Sequence, residues 1–309
     1  MRGMHESSAP AALDTYELHL FRLVAQSGSF TRAARLAGLT QSAVTRQIQG
    51  MEARLEVPLF ERTTRRVQLT EAGRFLYDQS ARILGEVAHS VRRLREDFAH
   101  APRTVTVGVS RTVGLAYLPG FFVDYQRRFP QVQLRVSHRP SPELLAALEA
   151  REIDAALLCP PTRLTGDFRV AYRFTDDFTL IVPASHPSPT PRSPLAPEAL
   201  PAFLGPKPNW LLPDRRTNTG RRLRTWLEES GLHARPAMEL DSFDLIINLV
   251  GLGMGVAMVP HRALPLYLRQ RRFRRIQTRP RFSRELVVLV RHELPLPEQV
   301  RQFVERILF

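Results

Sequence analysis

The chain is poor in the residues and runs that several classes of protein require. It has a single cysteine, Cys159, so no intrachain disulfide can form, and no Cys/His cluster has the spacing of a zinc site. Residues 1–12 lack the charged start and apolar core of a secretory signal, and no run approaches the roughly eighteen apolar residues of a membrane span. We therefore expect a cytoplasmic protein without a metal, a cofactor or a membrane segment.

Lysine is also almost absent, since Lys207 is the only one among 44 basic residues. The formal net charge of +14 is typical of a nucleic-acid partner, yet residues 1–100 contribute a net of only +3 and the remainder +11. Arginine-biased composition explains much of this surplus. Charge alone is therefore no argument for DNA binding.

Catalytic motifs are missing too. The chain has no G-x-S-x-G, no H-E-x-x-H, no phosphate-binding loop and no convincing acid/base pair. The three alternating glycines over 251–255 follow a predicted helix and precede a predicted strand, which is the reverse of a dinucleotide-binding loop. We predict that the protein is not an enzyme.

Three short helical patterns occupy residues 14–55. Asp14 and Ser29 are suitable N-caps for the first two helices, Gly38 ends the second, and Thr40 begins the third. One face of the third helix is apolar and is formed by Val44, Ile48, Met51 and Leu55. This spacing turns the polar side of the helix outward and predicts a helix-turn-helix.

The outward face of the third helix has the chemistry of major-groove recognition. Arg46 can bridge guanine, Gln49 can bridge adenine, and Ser42 can contact a base or a phosphate, with Gln41 and Thr45 beside them. Any solvated helix face has a similar composition, so double-stranded DNA and plain solvent are both compatible with it.

A basic hairpin and a long helix follow. Residues 61–69 are predicted to form two strands around a turn, a wing whose Arg62, Arg65 and Arg66 would contact phosphates. From Thr70 a helix of about 28 residues would extend roughly 42 Å. Its apolar stripe consists of Leu76, Ile83, Val87, Val91, Leu94 and Phe98. We predict that this stripe pairs with a second copy of the helix, the alternative being contact with the chain's own body.

These elements resemble, in their order, the N-terminal region of LysR-type transcriptional regulators. The resemblance rests on GSFTRAARLAGLTQSAVTRQI, MEARL and VPLFERTTRRVQLTEAG and covers about residues 15–98. It implies wing contacts at the three arginines named above and base reading at the start of the third helix. The implied base-reading residues are Gln41, Ser42, Thr45 and Arg46. Ser29 and Thr31, at the start of the second helix, complete our candidates for DNA contact.

Two residues depart from the family's pattern. Gly50 stands in the third helix where the family usually has a long polar side chain, at a cost of about 1 kcal/mol relative to alanine. Glu56 replaces the glycine that commonly precedes Val-Pro-Leu-Phe. We expect the end of the third helix to be closed by other means.

From Arg103 predicted strands and helices alternate, which is typical of a mainly parallel sheet. A second lobe is predicted from about Phe178, with a proline-rich surface segment over 186–208. Residues 284–290 and the last helix return to the first lobe. The body resembles the LysR-type effector domain, itself similar to two-lobed, type 2 periplasmic binding proteins, on the motifs at 143–145, 153–156 and 249–260.

The predicted fold is therefore a mainly α winged helix-turn-helix head, a linker helix and a two-lobed α/β domain. Their bounds are 13–70, 71–100 and 101–309, with the second lobe over about 178–280.

Ligands of α/β sheets bind beyond the carboxyl ends of strands and at helix N-termini. Hydroxyls, main-chain amides and two arginines at these positions suit a small anionic effector, although ordinary helix capping would explain each residue as well. The candidates are Ser110, Arg111, Thr112, Arg139, Ser141, Cys159, Asn218, Thr219 and Ser242.

The sequence thus predicts a ligand-responsive transcriptional regulator that acts as a homodimer or homotetramer. An architectural DNA-binding protein with an effector-blind body is one alternative, and a solute-binding protein, which would need export, is another. The arginine-rich stretch over 269–284 is predicted to be solvated surface rather than a DNA contact.

Overall fold

A computed structural model describes residues 13–62, 67–232, 234–265, 267, 272–292 and 296–307. The chain divides into two compact units, Met1–His100 and Ala101–Phe309. No helix among the described residues is long and apolar enough to cross a membrane.

The described part of the first unit contains four helices and two short paired strands. The elements are α1 Thr15–Ser27, α2 Phe30–Ala37, α3 Gln41–Leu55, β1 Phe60–Arg62, β2 Val67–Leu69 and α4 Glu71–Phe98. Strands β1 and β2 are antiparallel, with Phe60 opposite Leu69. The winged helix-turn-helix and the long helix predicted from the sequence are both present.

Each helix of this unit begins at a side chain that accepts a backbone N–H. The Asp14 carboxylate accepts from the Glu17 amide at 2.7 Å, and the Glu17 carboxylate accepts in return from the Asp14 amide at 3.2 Å, which is a capping box. Ser29, Thr40 and Thr70 cap the other three helices. Since a cap contributes about 1 kcal/mol, the local sequence determines where each helix begins.

The core of the first unit lies under α3. Val44, Ile48 and Met51 are fully buried, whereas Leu55 at the end of the same face is half-buried. The wing strand contributes Phe60, whose ring lies 5.3 Å from that of Phe21 on α1. These contacts hold the polar face of α3 toward solvent.

The C-terminal end of α3 is closed without glycine, as the sequence led us to expect. Glu56 adopts the left-handed conformation with φ 58°, which costs a non-glycine residue about 1–2 kcal/mol. The Glu52 carboxylate accepts hydrogen bonds from the amides of Leu59 at 2.8 Å and Phe60 at 3.1 Å. This side chain therefore ties the end of the helix to the first strand of the wing.

The second unit contains one seven-stranded sheet and a two-stranded sheet among its described residues. The strands are β3 Arg103–Ser110, β4 Val132–Arg139, β5 Ala155–Leu158, β6 Phe168–Pro183, β7 Trp210–Pro213, β8 Pro236–Leu240, β9 Ala257–Pro260, β10 Phe273–Ile276 and β11 Ser283–Arg291. The α-helices are α5 Gly114–Arg128, α6 Ser141–Glu149, α7 Leu200–Leu204, α8 Asn218–Glu229, α9 Phe243–Gly251 and α10 Glu298–Arg306.

The large sheet is mixed, so the prediction of a mainly parallel sheet was wrong for the unit as a whole. Strand β3 is parallel to β4 and β5, but β11 is antiparallel to β5 and to β6. In the second lobe β9 and β10 are also antiparallel to β6. The alternation of strands and helices predicts the parallel strands β3, β4 and β5, which are joined by helical crossovers. Strand β11 runs in the opposite direction and makes the sheet mixed.

Strand β6 belongs to both lobes. Its first ten residues pair with β11 in the first lobe, and its remaining residues pair with β9 and β10 in the second. Each lobe has its own apolar core: a layer on each face of the sheet in the first lobe, and one cluster in the second. The two long strands β6 and β11 therefore carry the chain across the boundary between the lobes.

Two segments expected at the surface are largely exposed among their described residues, but each also contributes buried side chains. In the proline-rich stretch, Pro197, Leu200 and Leu204 pack into the core of the second lobe through a short 3₁₀ turn and α7. In the arginine-rich stretch, Arg284 is 1 % exposed. Both burials arise from contacts with residues far away in the sequence, which composition does not show.

The left-handed Glu56 provides a test of how α3 ends. Glu56→Gly should raise the free energy of unfolding of the first unit by about 1 kcal/mol, because glycine adopts this conformation without a Cβ penalty. Urea unfolding of the full-length chain, followed by a probe in the first unit, measures the change.

Two variants control for this effect. Gly28 has φ 62° and open space around the position of a Cβ, so Gly28→Ala should lower stability by a similar amount. Glu56→Ala retains the Cβ and should gain nothing. An equal gain in Glu56→Ala would instead assign the effect to the lost charge.

Candidate DNA interface and effector cleft

The polar face of α3 is open to solvent. Gln41, Ser42, Arg46 and Gln49 are all exposed, as the helical periodicity predicted. Gln47, which the sequence analysis left out, is exposed as well. The amide and guanidinium groups on this face can therefore reach base edges in a major groove.

Two hydroxyls on the same helix have partners within the protein. Thr45 is half-buried and its Oγ1 donates to the Gln41 carbonyl at 2.9 Å. The Ser42 hydroxyl lies 3.1 Å from that of Thr40, the N-cap. Arg46 and the glutamines are thus better placed for direct readout than Thr45.

Contacts between helices hold α3 in place. Arg54 on α3 forms an ion pair with Glu17 on α1. Arg22 on α1 donates to the Tyr77 carbonyl of α4 at 2.8 Å, and its guanidinium lies 4.4 Å from the centre of the Tyr77 ring. A recognition helix fixed in this way needs little ordering on binding, which reduces the entropic cost.

The remaining DNA candidates lie around α3. Ser29 is half-buried and accepts from the Arg32 amide at 3.3 Å, whereas Thr31 is exposed. Arg62 ends strand β1, but its side chain lies outside the described part of the chain, as do residues Arg65 and Arg66.

The apolar stripe on α4 is largely exposed to solvent. Ile83, Val87, Val91 and Leu94 are between 42 % and 58 % exposed, although all are apolar. Leu76 differs, because it is half-buried and packs against the core of the first unit. The first turns of α4 thus pack against the head, and a role of Leu76 in dimerisation stays a prediction.

In the second unit, several effector candidates meet at one edge of the sheet. Strand β3 ends at Ser110, Cys159 follows β5, and α8 of the second lobe begins at Asn218. The Asn218 side-chain amide donates to the Cys159 carbonyl at 2.9 Å. The hydroxyls of Thr112 and Thr219 lie 3.5 Å apart. The residues predicted from strand ends thus include several that meet where the two lobes contact each other.

The centre of this junction is Arg284, which the sequence analysis missed. Its Nε and Nη2 bind Asp176 Oδ2 at 2.9 and 2.8 Å, and both side chains are fully buried. Nη1 donates to Thr219 Oγ1 at 2.7 Å and Nη2 to the Thr112 carbonyl at 3.0 Å. A strand prediction for β6 would have offered a signal, since Asp176 and Arg284 are direct partners across β6 and β11.

The two arginines that were predicted are each engaged by a carboxylate. Arg111 in the first lobe forms an ion pair with Asp241 in the second at 2.5 Å. Arg139 lies opposite Ser110 in the sheet, but its guanidinium binds Glu152 at 2.8 Å. An anionic ligand would thus have to compete with these carboxylates.

Two further effector candidates, Ser141 and Ser242, form no hydrogen bond with Arg284 or its partners among the described residues. Ser141 begins α6, and Ser242 precedes α9, where its hydroxyl lies 3.4 Å from the Asp244 carboxylate. Both are at helix starts, as the sequence indicated. Helix starts alone did not determine which side chains meet between the lobes.

Two buried polar atoms lie at this junction without a protein partner. Ser110 Oγ and Asp176 Oδ1 have no hydrogen-bond partner among the described residues. Unsatisfied buried groups are costly, so a bound molecule that reached them would be stabilised.

Burial raises the pKa of the Cys159 thiol, against the opposing effects of Arg284, Arg222 and a hydrogen bond with Thr219. The thiol is therefore a poor nucleophile at neutral pH.

Both units match models of one protein family. Residues 16–74 match the bacterial regulatory helix-turn-helix protein, lysR family, and residues 99–308 match the LysR substrate binding domain. The chain belongs to the LysR family of transcriptional regulators. Its first unit is accordingly the DNA-binding part of a LysR regulator, and its second unit corresponds to the family's substrate binding domain.

Relatives and solved structures agree with this assignment. A "Probable RuBisCO transcriptional regulator" of Cyanidioschyzon merolae is 29 % identical, over 81 % of this chain and 82 % of its own length. The crystal structure of CbnR, a LysR family transcriptional regulator, shares the fold with a TM-score of 0.69 at 22 % identity, over 96 % of this chain and 98 % of that one. Full-length CbnR complexed with its target DNA gives a TM-score of 0.66 at 22 % identity, over 96 % of this chain and 99 % of that one.

Removal of an arginine from α3 and removal of one from the predicted wing should affect DNA binding in different ways. Arg46→Ala should cost about 1–3 kcal/mol on the preferred site and little on unrelated DNA, because a base contact is lost. Arg66→Ala should weaken binding to all sequences and reduce the salt slope by about 1. Anisotropy titrations on the region upstream of the protein's own gene and on a scrambled duplex, at several salt concentrations, measure both.

Arg93→Ala is the matched control, because this exposed arginine forms an ion pair with Asp97 at 3.2 Å and lies on α4, outside α3 and the wing. Arg93→Ala should change neither the free energy of DNA binding nor its salt slope. Equal losses on both duplexes from Arg46→Ala would refute the base-reading role.

Proposed function

We propose that this LysR-family protein is a sequence-specific regulator of transcription that responds to a small anionic effector between the lobes of its second unit. The observation that carries the DNA-binding part is the exposed polar face of α3, with Gln41, Arg46 and Gln49. This face is fixed by capping, by the core beneath it and by ion pairs to neighbouring helices. As a DNA-binding protein it would act in the cytoplasm.

The assembly we propose is a homodimer or homotetramer. The apolar stripe of Ile83, Val87, Val91 and Leu94 is exposed in the single chain, and pairing two copies of α4 would remove it from water. Two paired helices would then present two recognition helices to half-sites at least about 34 Å apart. CbnR, which has the same fold, was solved in complex with its target DNA, and this supports the DNA-binding part of the proposal.

The effector proposal rests on the inter-lobe edge of the sheet. Ser110, Thr112 and Thr219 offer hydroxyls, and Arg111 offers a guanidinium that Asp241 now holds. A carboxylate or phosphate could accept from these groups in exchange for the protein's own acceptor. It would change DNA binding only if its affinity differed between two arrangements of the lobes.

An effector-blind body remains the second candidate, and one observation favours it. Arg111, Arg139 and Arg284 each already have a carboxylate partner. Such a body would serve assembly and leave DNA binding constant.

Titration of the full-length chain with a panel of organic acids separates these candidates. At least one acid should bind in calorimetry and alter the gel shift on the upstream region. Arg111→Ala should weaken that binding by up to about fivefold, the effect of one lost exposed ion pair. Arg128→Ala, which removes an exposed ion pair with Asp124 on α5, should leave it unchanged.

Two other outcomes would contradict the anionic-effector proposal. DNA binding that no acid alters, together with no heat of binding, would establish the effector-blind alternative. Binding of only neutral or cationic analogues would refute the anionic class while leaving the regulator intact.

A further inference from the structure

The space between the lobes is occupied by one of the protein's own cations. Arg284 donates to Asp176, to the Thr112 carbonyl and to the Thr219 hydroxyl, and these four residues are here called the Arg284 latch. We propose that Arg284 is a tethered ligand that cross-links the two lobes, and that its removal leaves a binding site for a free guanidinium ion. The inference rests on the second unit alone and does not require an anionic effector.

The walls around the Arg284 head group have the chemistry of a guanidinium site. One carboxylate oxygen accepts from both Nε and Nη2, a hydroxyl accepts from Nη1, and a main-chain carbonyl accepts again from Nη2. The rings of Phe178 and Phe243 lie 5.2 and 5.5 Å from the guanidinium carbon. Charge-assisted bonds, further acceptors and aromatic rings are together what selects a planar cation over a point charge.

The burial of the pair makes these contacts strong. Arg284 and Asp176 both have fully buried side chains, so neither charge can be compensated by water. Removal of one member of such a pair leaves an uncompensated buried charge, which is far more destabilising than loss of a surface ion pair. A carboxylate left in this position would bind any small cation that fits.

The acceptors lie in different parts of the domain, and this makes the contact a cross-link. Thr112 follows β3 of the first lobe, Asp176 is on β6, which passes through both lobes, and Thr219 lies in the first turn of α8 in the second lobe. Separation of the lobes would break the bond to Thr112 or the bond to Thr219. The neighbouring bond from Asn218 to the Cys159 carbonyl acts in the same direction.

The latch changes what an effector has to do. A ligand that opens or rearranges the cleft must replace the bonds that Arg284 makes, or donate to the buried Asp176 Oδ1, which has no hydrogen-bond partner among the described residues. Effector specificity would then depend on hydrogen-bond donors as well as on negative charge. This last step rests on the proposed function, whereas the latch itself does not.

Chemical rescue tests the proposal in the full-length chain. Arg284→Ala should lower the melting temperature of the second unit by about 10 °C, since a buried ion pair is broken. Guanidinium chloride at tens of millimolar, compared with potassium chloride at equal ionic strength, should then raise it by several degrees, as a ligand of the native state does. The wild type should show no such gain.

Two variants make the test specific. Arg173→Ala removes an exposed ion pair of 2.7 Å between Arg173 and Glu285 on the same two strands, so it should neither lower the melting temperature appreciably nor respond to guanidinium. The double variant Arg284→Ala, Asp176→Asn should lose the rescue, because the site no longer has its carboxylate. Rescue that persists in the double variant, or absence of rescue in Arg284→Ala, would overturn the guanidinium site.

Thr219→Val provides a milder variant if Arg284→Ala does not fold. It retains the buried ion pair and removes the Thr219 hydroxyl, which accepts from Arg284 and also contacts the Thr112 hydroxyl and Cys159. Hydrogen exchange should then rise several-fold both over 108–113 and over 218–223, since the two lobes lose a shared restraint. A change confined to 218–223 would show a local contact and refute the cross-link.

Discussion

The architecture of the second unit depends on one buried ion pair, Arg284 with Asp176. The two residues are direct partners in the β6–β11 register, and neither has any solvent-exposed side-chain surface. A slip of one residue would turn Arg284 to the opposite face of the sheet and leave both charges unpaired, at a cost of about 3–5 kcal/mol. The pair therefore fixes the register of the strands that join the lobes. The exposed pair Arg173–Glu285 on the same strands has no such effect.

Charge thus has opposite roles in the two units. On α3 of the first unit the guanidinium of Arg46 is exposed and available to DNA. At the inter-lobe edge of the second unit each candidate arginine already binds a carboxylate, so much of its positive charge is neutralised locally. The large basic surplus after residue 100 is consequently weak evidence for where DNA binds. The position and exposure of individual arginines decide this question, and their number does not.

The sequence predicted the first unit in more detail than the second because its signals are local. The N-caps Ser29, Thr40 and Thr70 and the spacing of Val44, Ile48 and Met51 act within one or two helical turns. The burial of Arg284 and Leu200, by contrast, depends on partners that are distant along the chain. Strand ends did bring Thr112, Cys159, Asn218 and Thr219 together, because the strand-end rule follows from topology. The rule did not predict that Arg139 would bind Glu152, since side-chain pairing on an edge strand is not determined by topology.

The magnitude of the latch bears on how an effector could act. A shift of two lobe arrangements from 1:99 to 99:1 requires a difference in binding free energy of about 5.5 kcal/mol. Hydrogen bonds to a charged group contribute about 1.5–3 kcal/mol each, so the two bonds from Arg284 to Thr112 and Thr219 are together of comparable size. An effector that makes bonds of this total strength in one lobe arrangement only, in place of the two bonds from Arg284, would bind that arrangement tightly enough to shift the equilibrium. One that bound only to the exposed Arg111 would not, because a surface ion pair contributes at most about 1 kcal/mol.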